Sequence, residues 1–259
     1  MDKPPSNPST GLRILIVDDD RRMASTLADI LELQPYETAQ AHSGNEALEK
    51  INESRFDCVL SDIKMAGMNG VELFQAIRET QPGLPVVLMT AYATDELIHQ
   101  GLQSGAIGVL NKPIDIHQLL GFLACVRQEH IVTIVDDDPA FCITLSDILE
   151  RRGFRVAKIT NAETEVAKML QNSQIMLLDM KLNSRTGYDI LKEIRRSHPE
   201  LPVLLVTGYR NEMASAIEQA LEFGTYTCLY KPLVVSELLE TLAQIRSERM
   251  KQLLKLKNF

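Results

Sequence analysis

Ile16-Val17-Asp18-Asp19-Asp20 returns as Ile134-Val135-Asp136-Asp137-Asp138, 118 residues further on. A short apolar run that stops at a block of carboxylates reads as a buried strand whose end carries polar chemistry. Three further features recur behind it. Asp62, Thr90 and Lys112-Pro113 are matched by Asp179, Thr207 and Lys231-Pro232, at offsets of 117, 117 and 119 residues. A period of this length suits a single domain of about 100 to 150 residues, and far exceeds the roughly 20 to 50 residues of a solenoid repeat. Each copy can bury its own core, so the chain reads as a tandem duplication with one site per domain.

From Arg13 onward short apolar runs alternate with amphipathic stretches of helix length. The first copy reads as strands at 13–17, 36–41, 57–61, 85–90 and 107–111, the second as strands at 131–135, 154–159, 174–178, 202–206 and 226–230. Val-Val-Leu-Met at 86–89 and Val-Leu-Leu-Val at 203–206 are apolar without alternation, as parallel strands covered on both faces require. Each copy is therefore expected to be α/β, a doubly wound (βα)5 domain with a five-stranded parallel sheet. The expected boundaries are a flexible leader at 1–10, a first domain at 11–129, a second at 130–245 and a basic helical extension at 246–259. With so little chain between the domains, a fairly fixed relative orientation is expected.

Composition narrows the function. Residues 11–129 carry 9 basic and 17 acidic side chains and residues 130–245 carry 12 and 16, against 5 and 1 in the extension. Two acidic domains repel polyanions, so direct nucleic-acid binding is not expected. Cys58, Cys125, Cys142 and Cys228 form no Cys-x-x-Cys pair. The N-terminus lacks an apolar signal core, and no apolar run approaches the roughly 18 residues of a membrane helix. A cytoplasmic protein without membrane contact is expected.

Ligands of an open parallel sheet bind beyond the carboxyl ends of its strands, and every repeated polar residue falls there. Converging carboxylates repel one another unless a cation compensates. Oxygen donors without His or Cys point to Mg²⁺. Together with Lys112 or Lys231 such an ion can hold a phosphoryl group, whose transfer needs positioning and charge more than covalent help. A carboxylate can itself accept that group as an acyl phosphate. Asp62 and Asp179 are the natural nucleophiles, and Thr90 and Thr207 offer hydroxyls to the phosphoryl oxygens. Asp20 and Asp138 read as helix caps, the latter followed by Pro139 at the first helical position.

On these residues both copies resemble receiver domains of two-component response regulators, over nearly all of 11–245. The resemblance implies the flavodoxin-like strand order. It also implies direct Mg²⁺ contacts from Asp19, Asp62 and the carbonyl of Lys64, with Asp18 acting through water. In the second copy the equivalents are Asp137, Asp179, the carbonyl of Lys181, and Asp136. A glycine eight residues after the acceptor is matched by Gly70 and Gly187. Cis peptides are implied at Lys112-Pro113 and Lys231-Pro232. The donor is then a histidine kinase or histidine phosphotransfer protein, since no nucleotide-binding motif is present and His42, His99, His117, His130 and His198 lie scattered, outside any kinase box. The protein would catalyse only its own phosphorylation and dephosphorylation.

Two departures from the family stand out. The aromatic residue common three positions before the lysine is Val109 or Cys228, read as ordinary strand packing, and the proline common four residues after the acceptor is Ala66 or Asn183. Lys64, Lys181, Tyr92 and Tyr209 are bulky groups near the acceptors, so slow loss of phosphate is expected. The helix from Val234 outruns the domain. It ends as a solvated extension, pairs with a second chain or once led to an output domain, and a homodimer through the fourth helix, fifth strand and fifth helix of a receiver is the other option. The alternatives are the receiver part of a longer hybrid kinase or nucleotide cyclase, a phosphate-independent docking module, or a haloacid dehalogenase-type hydrolase. The last wants Asp-x-Asp-x-Thr/Val after strand one, and Asp18 to Arg22 does not supply it.

Overall fold

The computed structural model describes residues 11–91, 101, 106, 108–128, 131–161, 170, 173–183, 185–208 and 214–256. The chain divides into two compact units, the first built on the residues up to Arg127 and the second on Gln128 to Glu248. The first contains β1 (Leu12–Val17), α1 (Arg21–Glu32), β2 (Tyr36–Ala41), α2 (Gly44–Glu53), β3 (Cys58–Asp62), α3 (Gly70–Thr80), β4 (Val86–Thr90), β5 (Gly108–Asn111) and α4 (Ile116–Gln128). All its strand pairs are parallel, in the order β2-β1-β3-β4-β5.

Successive residues of β1 point to opposite faces, and both faces are apolar. Ile14 and Ile16 pack with Leu27 and Leu31 of α1 and with Leu119 and Phe122 of α4. Leu15 and Val17 pack with Ile51 of α2 and with Leu73 and Ile77 of α3. This double covering explains why the strands lack alternation, since neither face of the sheet meets water.

The second unit repeats the plan with β6 (Ile131–Val135), α5 (Pro139–Arg151), β7 (Arg155–Ile159), β8 (Ile175–Asp179), α6 (Gly187–Ser197), β9 (Val203–Thr207), α7 (Ala214–Glu222), β10 (Thr227–Tyr230) and α8 (Val235–Leu256), of which the residues up to Glu248 belong to this unit. Its parallel order is β7-β6-β8-β9-β10, the same arrangement as the first. Ile134 packs with Leu145 and Leu149 of α5 and Leu238 and Leu242 of α8, while Val135 packs with Ile190 and Ile194 of α6 and Ile217 of α7. Some core positions differ in kind between the copies, among them Ser61 against Leu178. Thr133 stands where the first sheet has Leu15, and its buried hydroxyl is satisfied by the Ser173 hydroxyl at 2.5 Å.

Every expected strand is present. The segments expected to be helical around 92–105 and 162–172 lie mostly outside the described residues, as do the leader, Tyr92 and Tyr209. Val109 and Cys228 pack against the apolar clusters, as ordinary strand residues do. No helix among the described residues is long and apolar enough to cross a membrane.

Candidate functional site: two carboxylate pockets

The expected caps place the first carboxylates of each pocket. Asp20 accepts hydrogen bonds from the N–H groups of Arg22 and Met23, which ends β1 and starts α1. Its own N–H donates to Asp18 Oδ1 at 2.9 Å, which helps hold that buried carboxylate in place. Asp138 does the same for α5, accepting from Ala140 and Phe141 and donating to Asp136 Oδ1 at 2.9 Å. Neither cap belongs to the carboxylate clusters of the pockets.

The remaining side chains arrive from strand ends. Asp62 closes β3, Thr90 closes β4 and Lys112 directly follows β5; all three strands are in register there, with Asp62 opposite Met89 and Thr90 opposite Asn111. Asp179, Thr207 and Lys231 take the same places on β8, β9 and after β10. Both threonines are buried. The peptides Lys112-Pro113 and Lys231-Pro232 are cis, as expected.

Lys112 ties the first pocket together. Its ammonium lies 2.7 Å from Asp18 Oδ2 and 2.6 Å from Asp62 Oδ1, while the Lys64 N–H donates to the other Asp62 oxygen at 3.1 Å. In the second pocket Lys231 lies 2.6 Å from Asp136 Oδ2 and 3.0 Å from Asp179 Oδ2, and the Lys181 N–H reaches Asp179 Oδ1 at 3.3 Å. Burial pushes the Asp62 carboxyl above its ordinary range; Lys112 opposes this and Asp18 adds to it. Asp179 is raised for the same reason, burial first, against the pull of Lys231. For both lysines burial acts downward, but the flanking carboxylates outweigh it and hold the ammonium above its ordinary value.

Helix starts abut the backbone of Asp62 and Asp179. A Cβ on Gly70 would stand 2.2 Å from the Asp62 carbonyl oxygen, and one on Gly187 would stand 2.3 Å from that of Asp179. The glycines eight residues beyond these aspartates are therefore demanded by packing.

The donor set suits a hard divalent ion. Asp18, Asp19 and Asp62 offer carboxylate oxygens within 4.8 Å of one another, and Asp136, Asp137 and Asp179 do likewise. Asp19 is exposed and Asp137 half-buried, so each cluster opens to water on one side, as Mg²⁺ requires to keep part of its hydration shell.

Some neighbours carried no readable signal in the sequence. Lys231 Nζ stands 4.1 Å from the centroid of the Phe141 ring. His42 Nδ1 lies 3.2 Å from the Asp18 carbonyl, so this half-buried histidine is part of the first pocket's wall; His117 is exposed and His198 half-buried.

The chain belongs to the response regulator receiver domain family, whose sequence model matches residues 14–124 and again 132–243. It is a phosphoacceptor response regulator of two-component signalling. A response regulator receiver protein of Anaeromyxobacter sp. (strain Fw109-5) is 34% identical over 239 residues, covering 92% of this chain and 96% of that one. The transcriptional regulatory protein ZraR of Klebsiella oxytoca is 42% identical over 106 residues, 41% of this chain and 24% of that protein, so the match spans about a quarter of the relative. Among solved structures, the chemotaxis response regulator CheY4 of Vibrio cholerae is 33% identical, with 45% of this chain and 99% of that chain covered and a TM-score of 0.43.

Proposed function

We propose that Asp62 and Asp179 are both phosphoryl acceptors, each served by its own lysine, threonine and acidic pair. The observation that carries this reading is the position of Lys112 and Lys231, each within 3.0 Å of the acceptor and of one member of the acidic pair. A carboxylate oxygen attacks the phosphorus of a phosphohistidine on a histidine kinase or phosphotransfer protein. The new O–P bond forms as the N–P bond breaks, and the imidazole leaves with the bonding pair and takes up a proton. Lys112 or Lys231 then exchanges its contact with the acceptor for one to the phosphoryl oxygens, and Thr90 or Thr207 donates its hydroxyl to another. Reversal to the resting state needs water to attack phosphorus, which frees inorganic phosphate and restores the carboxylate.

Asp19, Asp62 and the Lys64 carbonyl would hold Mg²⁺, with Asp18 acting through water; Asp137, Asp179, the Lys181 carbonyl and Asp136 would do so in the second domain. The ion supplies positive charge to the phosphoryl oxygens. Lys64 and Lys181 stand exposed at the pocket rims, in keeping with slow hydrolysis. The protein's catalysis is then confined to its own phosphorylation and dephosphorylation. Cys58, Cys142 and Cys228 are in the thiol form, in agreement with a cytoplasmic location. Exposed Leu221, Phe223, Tyr226 and Val234, on or beside α7, β10 and α8, lie on the surface a homodimer would use.

Labelling with acetyl phosphate and Mg²⁺ tests the reading on wild type, Asp62→Ala, Asp179→Ala and the double variant. Two phosphoryl groups per wild-type chain, one per single variant and none on the double are expected. Absence of label from the wild type would replace this reading with a phosphate-independent docking module. Decay of the label within seconds would overturn slow hydrolysis.

A further inference from the structure

The geometry points to Phe141 as a positioning residue of the second pocket, acting through Lys231. This rests on the reading of Asp179 as an acceptor served by that lysine.

Three observations support it. Lys231 Nζ sits 4.1 Å above the Phe141 ring, close enough for the negative face of the ring to attract the ammonium. The same ammonium lies between Asp136 and Asp179, so the ring is a third contact that does not compete for carboxylate oxygens. The ring is itself held in place. Asp138 accepts the Phe141 N–H at 3.2 Å and the Ala140 N–H at 2.9 Å, fixing the first turn of α5. The apolar cluster of β6, α5 and α8 packs against the partly buried ring.

The acidic triplet thus divides its work: Asp136 contacts the lysine directly, and Asp138 fixes the residue whose ring backs it. When Asp179 gains a phosphoryl group the lysine must let go of the carboxylate oxygen and meet the phosphoryl oxygens. A ring face holds the ammonium without directing it to one oxygen, so the charge stays in the pocket during that exchange. The first domain carries Met23 at the matching position, capped in the same way by Asp20 but without a ring face.

The experiment uses the full chain in an Asp62→Ala background, so that acetyl phosphate labels Asp179 alone. Phe141→Met installs the residue the sister domain already tolerates at this place, and Phe141→Tyr keeps the ring. Expected for Phe141→Met is a fall in the labelling rate on the order of three- to tenfold, the range a partly desolvated cation–ring contact spans. Phe141→Tyr should restore it. NMR gives an independent reading: the Lys231 ε-methylene protons are shifted upfield by the ring in the parent and in Phe141→Tyr, and return toward ordinary lysine values in Phe141→Met.

Equal labelling rates in the parent and Phe141→Met, or a lysine signal without ring shift in the parent, would overturn the inference. Absence of label from the parent overturns the acceptor reading instead, and the ring shift then reports on the contact by itself.

Discussion

The two pockets carry the same side chains, yet different neighbours lean on them. Around the first, the His42 ring meets the Asp18 carbonyl, Met23 stands behind the acidic pair, and Met68 of the loop after the acceptor lies against Gly44. Around the second, Thr160, Phe141 and Arg185 hold those places. Here the loop is closed by a bridge between Lys181 and Thr186 and by Arg185, paired with Glu193 at 2.5 and 3.2 Å. Groups that hold a phosphoryl group have little freedom to vary, because each must meet an oxygen of fixed geometry. Residues one step behind them are free to differ, and there the two domains diverge.

The largest effect expected from any lysine, glycine or loop change is on labelling. Lys112→Met and Lys231→Met remove a positioned positive charge from the phosphoryl oxygens, and each should lower labelling of its own acceptor by on the order of a hundredfold. The other acceptor should label normally. Site-resolved mass spectrometry of the phosphorylated peptides reads both at once, and loss of label at both sites from either single change would break the picture of two independent pockets. Removal of Mg²⁺ with a chelator should silence both acceptors together, because both clusters have the same donors. A site that still labels in chelator would separate the two domains in their metal requirement.

Next in size is the packing of the glycines. Gly70→Ala and Gly187→Ala force a methyl group against a backbone carbonyl, which should cost about 1 to 3 kcal/mol each. Urea unfolding should show similar losses in the two domains; a loss confined to one would mean that the other helix start can retreat. The smallest effect belongs to Arg185→Ala. Glu193 is half exposed, so the pair contributes under about 1 kcal/mol, and the change should slightly hasten loss of phosphate from Asp179 while leaving Asp62 untouched. An equal change at Asp62 would show that the loop does not act locally.

Much of this was legible in the chain itself, for a physical reason. A parallel sheet buried on both faces demands uninterrupted apolar runs, and Val86–Met89 and Val203–Val206 state that directly. Strand ends must be where the polar residues converge, so Asp62, Thr90 and Lys112 could be assembled without coordinates. What could not be read was which groups sit behind them. Phe141 looks like any apolar residue on the inner side of a first helical turn, and nothing in its spacing distinguishes a ring that packs in the core from one that also faces an ammonium. His42 follows a strand as many polar residues do, and its contact is to a backbone carbonyl, which leaves no mark in the side-chain pattern. The Arg185–Glu193 pair depends on the path of a loop, where local sequence constrains direction least.

Gly70 and Gly187 have one more consequence. Each brings the start of a helix against the main chain of Asp62 or Asp179, with no room for a single added carbon atom. A bulky group attached to the aspartate cannot be accommodated by recoil of the strand toward that helix. Opposite that wall, β4 and β5, or β9 and β10, end at or beside the threonine and the lysine. The absence of a methyl group thus marks one wall beside each aspartate as closed to added volume.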